Sequence, residues 1–395
     1  MTFPERFSNL PPYAFPRLRS LLSAHAAGGP VIDMTIGTPK HPFPRWINAI
    51  IAEHSDGFGG YPPNDGTPEL RSAIAGFVQR RYSVTYDPET QIFPLNGTRE
   101  GLFNATLALC PETKNGQRPV ILTPNPFYQV YAVAGLAIEA ELVYVPATLE
   151  TGFLPDYRGL APELLNRVVA VYICSPSNPQ GVIASEAYWH DLLQLAETYD
   201  FRIFADECYS EIYRDTVPLG ALTAARDAHA DPERVVLFNS LSKRSNLAGL
   251  RSGFAASGPE TIKHMKSLRN YAGAPLPLPL QRAAEQVWAE DSHVEANRTL
   301  YREKLDLADE MFGDIDGYVP PKAGFFLWLP VDDGEAATVK LWRKTGVKVL
   351  PGSYLGRDYN GSNPGHSYIR VALVAPMTEV QPGLEALKRC IYEQA

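Results

Sequence analysis

Ser240-Leu241-Ser242-Lys243-Arg244-Ser245-Asn246-Leu247-Ala248-Gly249-Leu250-Arg251-Ser252-Gly253-Phe254 begins where a short apolar run, residues 235–239, comes to its end. Two serines, Ser240 and Ser242, precede a lysine, and an arginine follows that lysine at a distance of eight. Hydroxyls and a guanidinium are the groups a phosphate dianion needs, because arginine pairs with it bidentately. A lysine beside such a site can form a Schiff base with an aldehyde. Position adds to composition here: ligands of open α/β sheets bind beyond the carboxyl ends of the strands.

Working outward, further short apolar, β-branched runs occupy residues 92–95, 120–123, 142–145, 168–174, 202–205 and 253–256. Several are apolar throughout, as expected of strands covered on both faces. Helical patterns lie between them, at 99–110 and 186–199, and Thr67 followed by Pro68 marks the start of another that runs to about Arg81. The alternation predicts an α/β fold with a mostly parallel seven-stranded sheet. Residues 1–45, rich in Pro and Gly, read as an irregular arm that also joins a smaller domain. After about residue 280 the character changes to a long helical stretch over 280–312, then a strand at 324–329 and a helix near 335–345. Strands at 347–350 and 368–374 and a closing helix over 378–392 complete the chain. The expected organisation is the arm at 1–45, a large domain at 46–285 and an α+β small domain at 286–395.

The chain has 395 residues, a formal net charge of −8 and 45% hydrophobic residues. At about 150 residues per domain this suffices for two domains, and such a length buries a large core without disulfides or metals. The acidic balance argues against nucleic acid or an anionic membrane as partner. Cys110, Cys174, Cys208 and Cys390 show no metal or redox spacing, and no HExxH is present, so no metal is expected. The N-terminus carries charge and proline where a signal peptide needs a continuous apolar stretch, and no run approaches the length of a membrane helix. A soluble cytoplasmic protein is expected.

Four other segments carry chemistry. Asp206, in Ala205-Asp206-Glu207-Cys208-Tyr209-Ser210-Glu211, sits at a strand end, where a carboxylate can cap a helix or meet a protonated ring nitrogen. Glu207 and Glu211 read as solvated. Ser175-Pro176-Ser177-Asn178-Pro179-Gln180-Gly181 has the composition of a turn. Asn96-Gly97-Thr98-Arg99-Glu100-Gly101 leads into a helix whose first amides and dipole favour phosphate. Arg370 stands alone in the apolar strand Tyr368-Ile369-Arg370-Val371-Ala372, and a buried arginine is costly unless it meets an anion.

Ser-x-Ser-Lys followed by Gly-x-Arg-x-Gly resembles the signature of the class I/II, fold-type I aminotransferases, and the resemblance extends over nearly the whole chain. It implies a transaminase dependent on pyridoxal phosphate, with Lys243 carrying the cofactor and acting as general base and acid. Asp206 would pair with the ring nitrogen, while Asn178 and Tyr209 stabilise the ring's phenolic oxygen. The Thr98 and Arg99 amides, Ser240, Ser242 and Arg251 would hold the phosphate. Pro126-Phe127-Tyr128-Gln129-Val130-Tyr131 resembles the segment that stacks on the ring. Tyr128 matches it best, but Gln129 stands where the pattern has proline, so Phe127 remains a candidate; Tyr131 reads as core packing. Tyr61, in Gly60-Tyr61-Pro62-Pro63-Asn64-Asp65-Gly66, matches a tyrosine that reaches the neighbouring subunit's cofactor, which implies a homodimer with composite sites. Gly37, in Ile36-Gly37-Thr38-Pro39, would let substrate approach the backbone, and Arg370 would grip its α-carboxylate.

Within the superfamily, Pro39-Lys40-His41, Pro124-Asn125-Pro126-Phe127-Tyr128-Gln129 and Val349-Leu350-Pro351-Gly352-Ser353 resemble the bacterial N-succinyldiaminopimelate aminotransferases of lysine biosynthesis. The implied reaction joins N-succinyl-2-L-amino-6-oxopimelate and L-glutamate to N-succinyl-diaminopimelate and 2-oxoglutarate. So long a dianion needs cations distal to Arg370, for which Lys40, His41 and Arg99 are the candidates. The rivals are a broad aspartate or aromatic aminotransferase, a C–S lyase on the same fold, and a non-catalytic regulator. The last is disfavoured because neither a basic helix nor a spare domain is evident.

Overall fold

All seven apolar runs pair into one sheet. The structure is a computed structural model and describes residues 3, 5–8, 10 and 12–393. Its strands are β1 (Ile32–Asp33), β2 (Ile92–Leu95), β3 (Val120–Asn125), β4 (Glu141–Pro146), β5 (Val168–Cys174) and β6 (Arg202–Asp206). They continue with β7 (Val235–Ser240), β8 (Gly253–Ala256), β9 (Phe326–Pro330), β10 (Val347–Lys348), β11 (Leu350–Pro351) and β12 (Tyr368–Ala372). The large sheet has the order β2-β8-β7-β6-β5-β3-β4. Strands β4, β3, β5, β6 and β7 run parallel, and β8 runs against both of its neighbours, β7 and β2. Side chains alternate between two cores: Ile203 and Ala205 enter one and Phe204 the other. Covering both faces is why several of these runs, residues 168–174 among them, are apolar throughout.

This topology decides where chemistry gathers. Because β2 is parallel to β7, the carboxyl ends of β2, β3, β5, β6 and β7 share one edge with the start of β8. The registers bring Cys174 opposite Asp206 and Ser240 opposite Gly253 along that edge. Helices return the chain between strands, and the one read from Thr67 and Pro68 is capped as the sequence indicates. Thr67 Oγ1 accepts from Leu70 N at 3.2 Å at the head of helix Pro68–Tyr82. Ser185 accepts from Tyr188 N at the head of helix Glu186–Tyr199.

A second core gathers Leu305, Leu327, Leu329, Leu341, Ile369, Val371 and Leu384 around the antiparallel sheet β11-β12-β9. β1 pairs in parallel with β10, so the N-terminal segment is stitched to this C-terminal layer. The arm is not irregular throughout: Ala14–Ser23 is a helix, and Ala14, Leu18 and Leu22 pack on Leu350 and Tyr354. Their four-residue spacing is a helical stripe that the surrounding prolines obscure. The stretch read as one long helix is two, Leu278–Ala289 and Ser292–Phe312. Glu290 divides them, its carboxylate accepting from the Ser292 and His293 amides that open the second helix.

Glu207 and Glu211 are not solvated either. Glu211 pairs with Arg81 at 2.6 Å and Arg298 at 3.4 Å, and both carboxylates are buried. Burial pushes Glu207 up to about 7, while the Ala221 amide and Arg81 oppose that shift. No helix among the described residues is long and apolar enough to cross a membrane. Among them no group of His, Cys, Asp and Glu is arranged to hold a metal ion.

Candidate active site

Lys243 lies in the short helix Leu241–Arg244 that follows β7, at the carboxyl edge of the large sheet. Ser240 caps this helix, accepting from Ser242 N at 3.0 Å and donating to Ser242 Oγ at 2.8 Å. Both hydroxyls are thereby held beside the lysine. Lys243 Nζ donates to Gly37 O, and lies 5.3 Å from the centre of the Phe325 ring. Burial lowers its pKa to about 8, with Arg370 and Arg251 pushing the same way against Asp206. A lysine so depressed holds a larger neutral, nucleophilic fraction at neutral pH than an exposed one.

Asp206 ends β6 and is buried. Its Oδ1 accepts from Cys208 N at 3.2 Å, and its Oδ2 accepts from Tyr131 OH at 2.7 Å. Burial pushes the carboxyl up, and the Tyr131 and Cys208 hydrogen bonds restrain it. Tyr131 is therefore more than packing, which is how the sequence read it. Its ring stacks on Tyr172 at 4.4 Å while its hydroxyl orients the carboxylate. The signal was available: a tyrosine in an apolar helix usually directs its hydroxyl to a partner.

The loop after β2 supplies the opposite wall. Gly97 has φ +82°, and a Cβ there would lie 2.0 Å from Arg251 Nη2, so only glycine lets this guanidinium approach. Arg251 donates to Ala248 O at 3.0 Å and lies 3.5 Å from Asn96 O. Thr98 opens helix Thr98–Leu109, and its Oγ1 meets Cys208 Sγ at 3.2 Å. The first-turn amides of Thr98 and Arg99 have no partner within their own helix. Tyr128 accepts from Arg99 Nε at 2.6 Å and meets Tyr131 edge-on, whereas Phe127 packs into the core against Tyr144. Of these two aromatics, Tyr128 is the one beside the site.

Arg370, at the centre of β12, comes in from the second layer. It is 5% exposed, and no carboxylate pairs with it among the described residues. It donates to Asn178 Oδ1 at 3.1 Å and Thr35 O at 2.8 Å, and its Nε is buried without a partner. Burial lowers its pKa only to about 10, so it stays charged at neutral pH. Tyr209 packs edge-on against Phe325 and Phe326, and burial pushes its phenol well above the ordinary range. Gly37 is needed for packing as well, because a Cβ would fall 2.4 Å from the Phe326 ring.

Tyr61 is fully exposed, away from these groups of its own chain. Two expected distal contacts lie elsewhere. Lys40 is exposed and faces Glu379 at 3.6 Å. His41 is buried and bonded to Asn297 and Lys304, so it presents no free cation.

These residues fit pyridoxal phosphate. A depressed lysine, a buried carboxylate and a helix start beside two serines and an arginine share one strand edge, and an unmatched buried guanidinium reaches in from the second layer. Comparisons with known proteins agree. The sequence profile described as "Aminotransferase class I and II" matches residues 29–387. An LL-diaminopimelate aminotransferase of Dehalococcoides mccartyi is 29% identical over 396 residues, covering 98% of this chain and 98% of that protein. The crystal structure of an aminotransferase from Neisseria meningitidis has a TM-score of 0.92 at 37% identity, covering 97% of this chain and 98% of that one. That of the aminotransferase AspB from Helicobacter pylori has a TM-score of 0.90 at 33% identity, with full coverage (100%) of both chains. With its fold, its lysine-centred site and a family match across most of its length, the chain belongs to the class I and II aminotransferases, which depend on pyridoxal phosphate.

Proposed function

We propose that the protein transfers an amino group between the L-glutamate/2-oxoglutarate pair and a substrate of the diaminopimelate class, with N-succinyl-LL-2,6-diaminopimelate as the favoured amino donor. Arg370 carries this reading: a buried guanidinium without a carboxylate partner suits the α-carboxylate that every donor and acceptor of a transaminase shares. The diaminopimelate class is supported by the relative named for LL-diaminopimelate, and the succinylated form by the motifs around Lys40, Tyr128 and Val349. Arg99 is the distal candidate that remains exposed at the site without an acidic partner among the described residues.

When bound, the cofactor supplies an electron sink for negative charge on the substrate Cα and a carbon that stores the amino group. The chain does the rest. Lys243 Nζ would take the proton from the substrate Cα and deliver it to the carbon that keeps the amino group. Asp206, fixed by Tyr131, would hold a proton on the ring nitrogen. Asn178 and Tyr209 would hold the phenolic oxygen. Ser240, Ser242, Arg251 and the Thr98 and Arg99 amides would hold the phosphate, and Tyr128 would flank the ring. Tyr61, fully exposed here, would enter the site of a second copy, which makes the working unit a homodimer.

A donor panel tests the reading. Under single-turnover conditions, N-succinyl-diaminopimelate should convert the holoenzyme to its amino form faster than unsubstituted LL-diaminopimelate, aspartate or phenylalanine. Release of pyruvate and ammonia would instead mark an elimination enzyme. Preference for phenylalanine or aspartate would move the assignment to the broad-specificity aminotransferases.

A further inference from the structure

The buried cluster of His41, Asn297 and Lys304 has no role in the chemistry assigned so far. Lys304, on helix Ser292–Phe312, is 2% exposed, and no carboxylate lies within ion-pair distance among the described residues. Its donors go to Leu373 O at 3.0 Å, to Ala375 O and to His41 Nε2. An ammonium has three N–H groups and no acceptor, so His41 Nε2 must accept. The other ring nitrogen then carries the proton and donates to Asn297 Oδ1 at 2.9 Å. Asn297 Oδ1 also accepts from Asn246 Nδ2 at 3.0 Å, and Asn297 Nδ2 lies 3.5 Å from the main-chain oxygen of Lys243. A ring path runs in parallel: His41 lies against Tyr301 at 4.4 Å, and Tyr301 stacks on Phe325 at 5.2 Å. Phe325 in turn faces Lys243 Nζ.

Lys304 ties the His41 end of the strap formed by residues 34–41 to Leu373 O and Ala375 O, and backbone bonds pin the strap beside it. Ala372 N donates to Met34 O at 2.8 Å, and Lys40 N donates to Val374 O at 3.3 Å. Between those pins Thr35 O accepts from Arg370 and Gly37 O accepts from Lys243. We propose that Lys304 and His41 form a positioning pair that sets the placement of Lys243 and of the 34–41 strap over the substrate site. Burying an ammonium without a counter-charge costs stability, and an apolar pair would hold the strap without that cost. What the polar pair adds is direction: each hydrogen bond has one acceptor and one donor, and the series ends at the lysine's own backbone. Burial lowers His41 and lowers Lys304 to about 8, in keeping with a neutral imidazole beside a cation. The inference rests on transaminase chemistry at Lys243 and not on which donor is used.

His41→Leu and His41→Gln test it in the cofactor-loaded enzyme, once wild-type turnover with L-glutamate is established. Glutamine offers one acceptor towards Lys304 and one donor towards Asn297, whereas leucine offers neither. The leucine variant should slow the glutamate half-reaction about 10- to 100-fold, the scale on which small misplacements act. It should also shift the pH midpoint of the lysine-linked cofactor's absorbance, and glutamine should restore both. A leucine variant with wild-type rate and midpoint, altered only in melting temperature, makes the pair merely structural and overturns the proposal. Nitrogen NMR of histidine-labelled wild-type holoenzyme decides independently of folding. A neutral His41 protonated at Nδ1 supports the pair; an imidazolium or an Nε2–H tautomer contradicts it.

Discussion

Replacing Lys243 by alanine is expected to abolish transamination, lowering the rate of the glutamate half-reaction on the order of 10⁴-fold or more, since it removes the group that moves the substrate proton. The effect should be confined to chemistry. Alanine leaves the Ser240 cap of helix Leu241–Arg244 in place, because that bond runs to the Ser242 amide. It also relieves the cost of a buried amine whose pKa burial lowers to about 8. The variant should therefore keep its thermal stability and still bind the cofactor through Arg251, Ser240 and the Thr98 helix start. Its absorbance should match the free aldehyde, and glutamate should not convert it to the amino form. Stopped-flow spectroscopy reads both points, and a variant that turns over within tenfold of wild type contradicts the assignment of Lys243.

The second large effect is expected at Arg370. Arg370→Leu removes a cation that is already desolvated, so its interaction with a substrate carboxylate is worth about 2–5 kcal/mol. That corresponds to a fall in kcat/KM of about 30-fold to several thousand-fold. Donor and acceptor should suffer alike, because both present the same carboxylate. Cofactor absorbance should stay unchanged, which separates this variant from Lys243→Ala. Arg370→Lys should recover little. The fork that spans Asn178 Oδ1 and Thr35 O while leaving Nε free has no counterpart in a single ammonium. Steady-state kinetics with glutamate and 2-oxoglutarate checks this, and a loss with only one of the two would place Arg370 away from the shared carboxylate.

Much of this site was legible because it is built from strand ends. Runs such as residues 168–174 and 203–205 are apolar at every position, and the residues that follow them must lie on the sheet's carboxyl edge. Asp206, Asn178 and Lys243 could be placed there before any side chain was seen. What stayed hidden depends on contacts between distant parts of the chain. His41 meets residues 256 and 263 positions away, so nothing near it separates a substrate cation from a buried acceptor. Glu207 and Glu211 follow the same logic: beside Asp206 they look like a solvated acidic turn, and only the approach of Arg81 and Arg298 to Glu211, and of the Ala221 amide to Glu207, makes their burial tolerable. Tyr131 was misread for a different reason. Its ring is core, and only the direction of its hydroxyl reveals the bond to Asp206.

The central claim is that the cofactor is held by Lys243 at the carboxyl edge of the large sheet. Borohydride reduction of the holoenzyme, followed by proteolysis and mass spectrometry, tests it most directly. The account predicts the reduced cofactor's mass on the peptide containing Lys243 and on no other, with loss of the mark after prior treatment with L-glutamate. A mark on a different lysine, or an active enzyme that carries no mark at all, would contradict it.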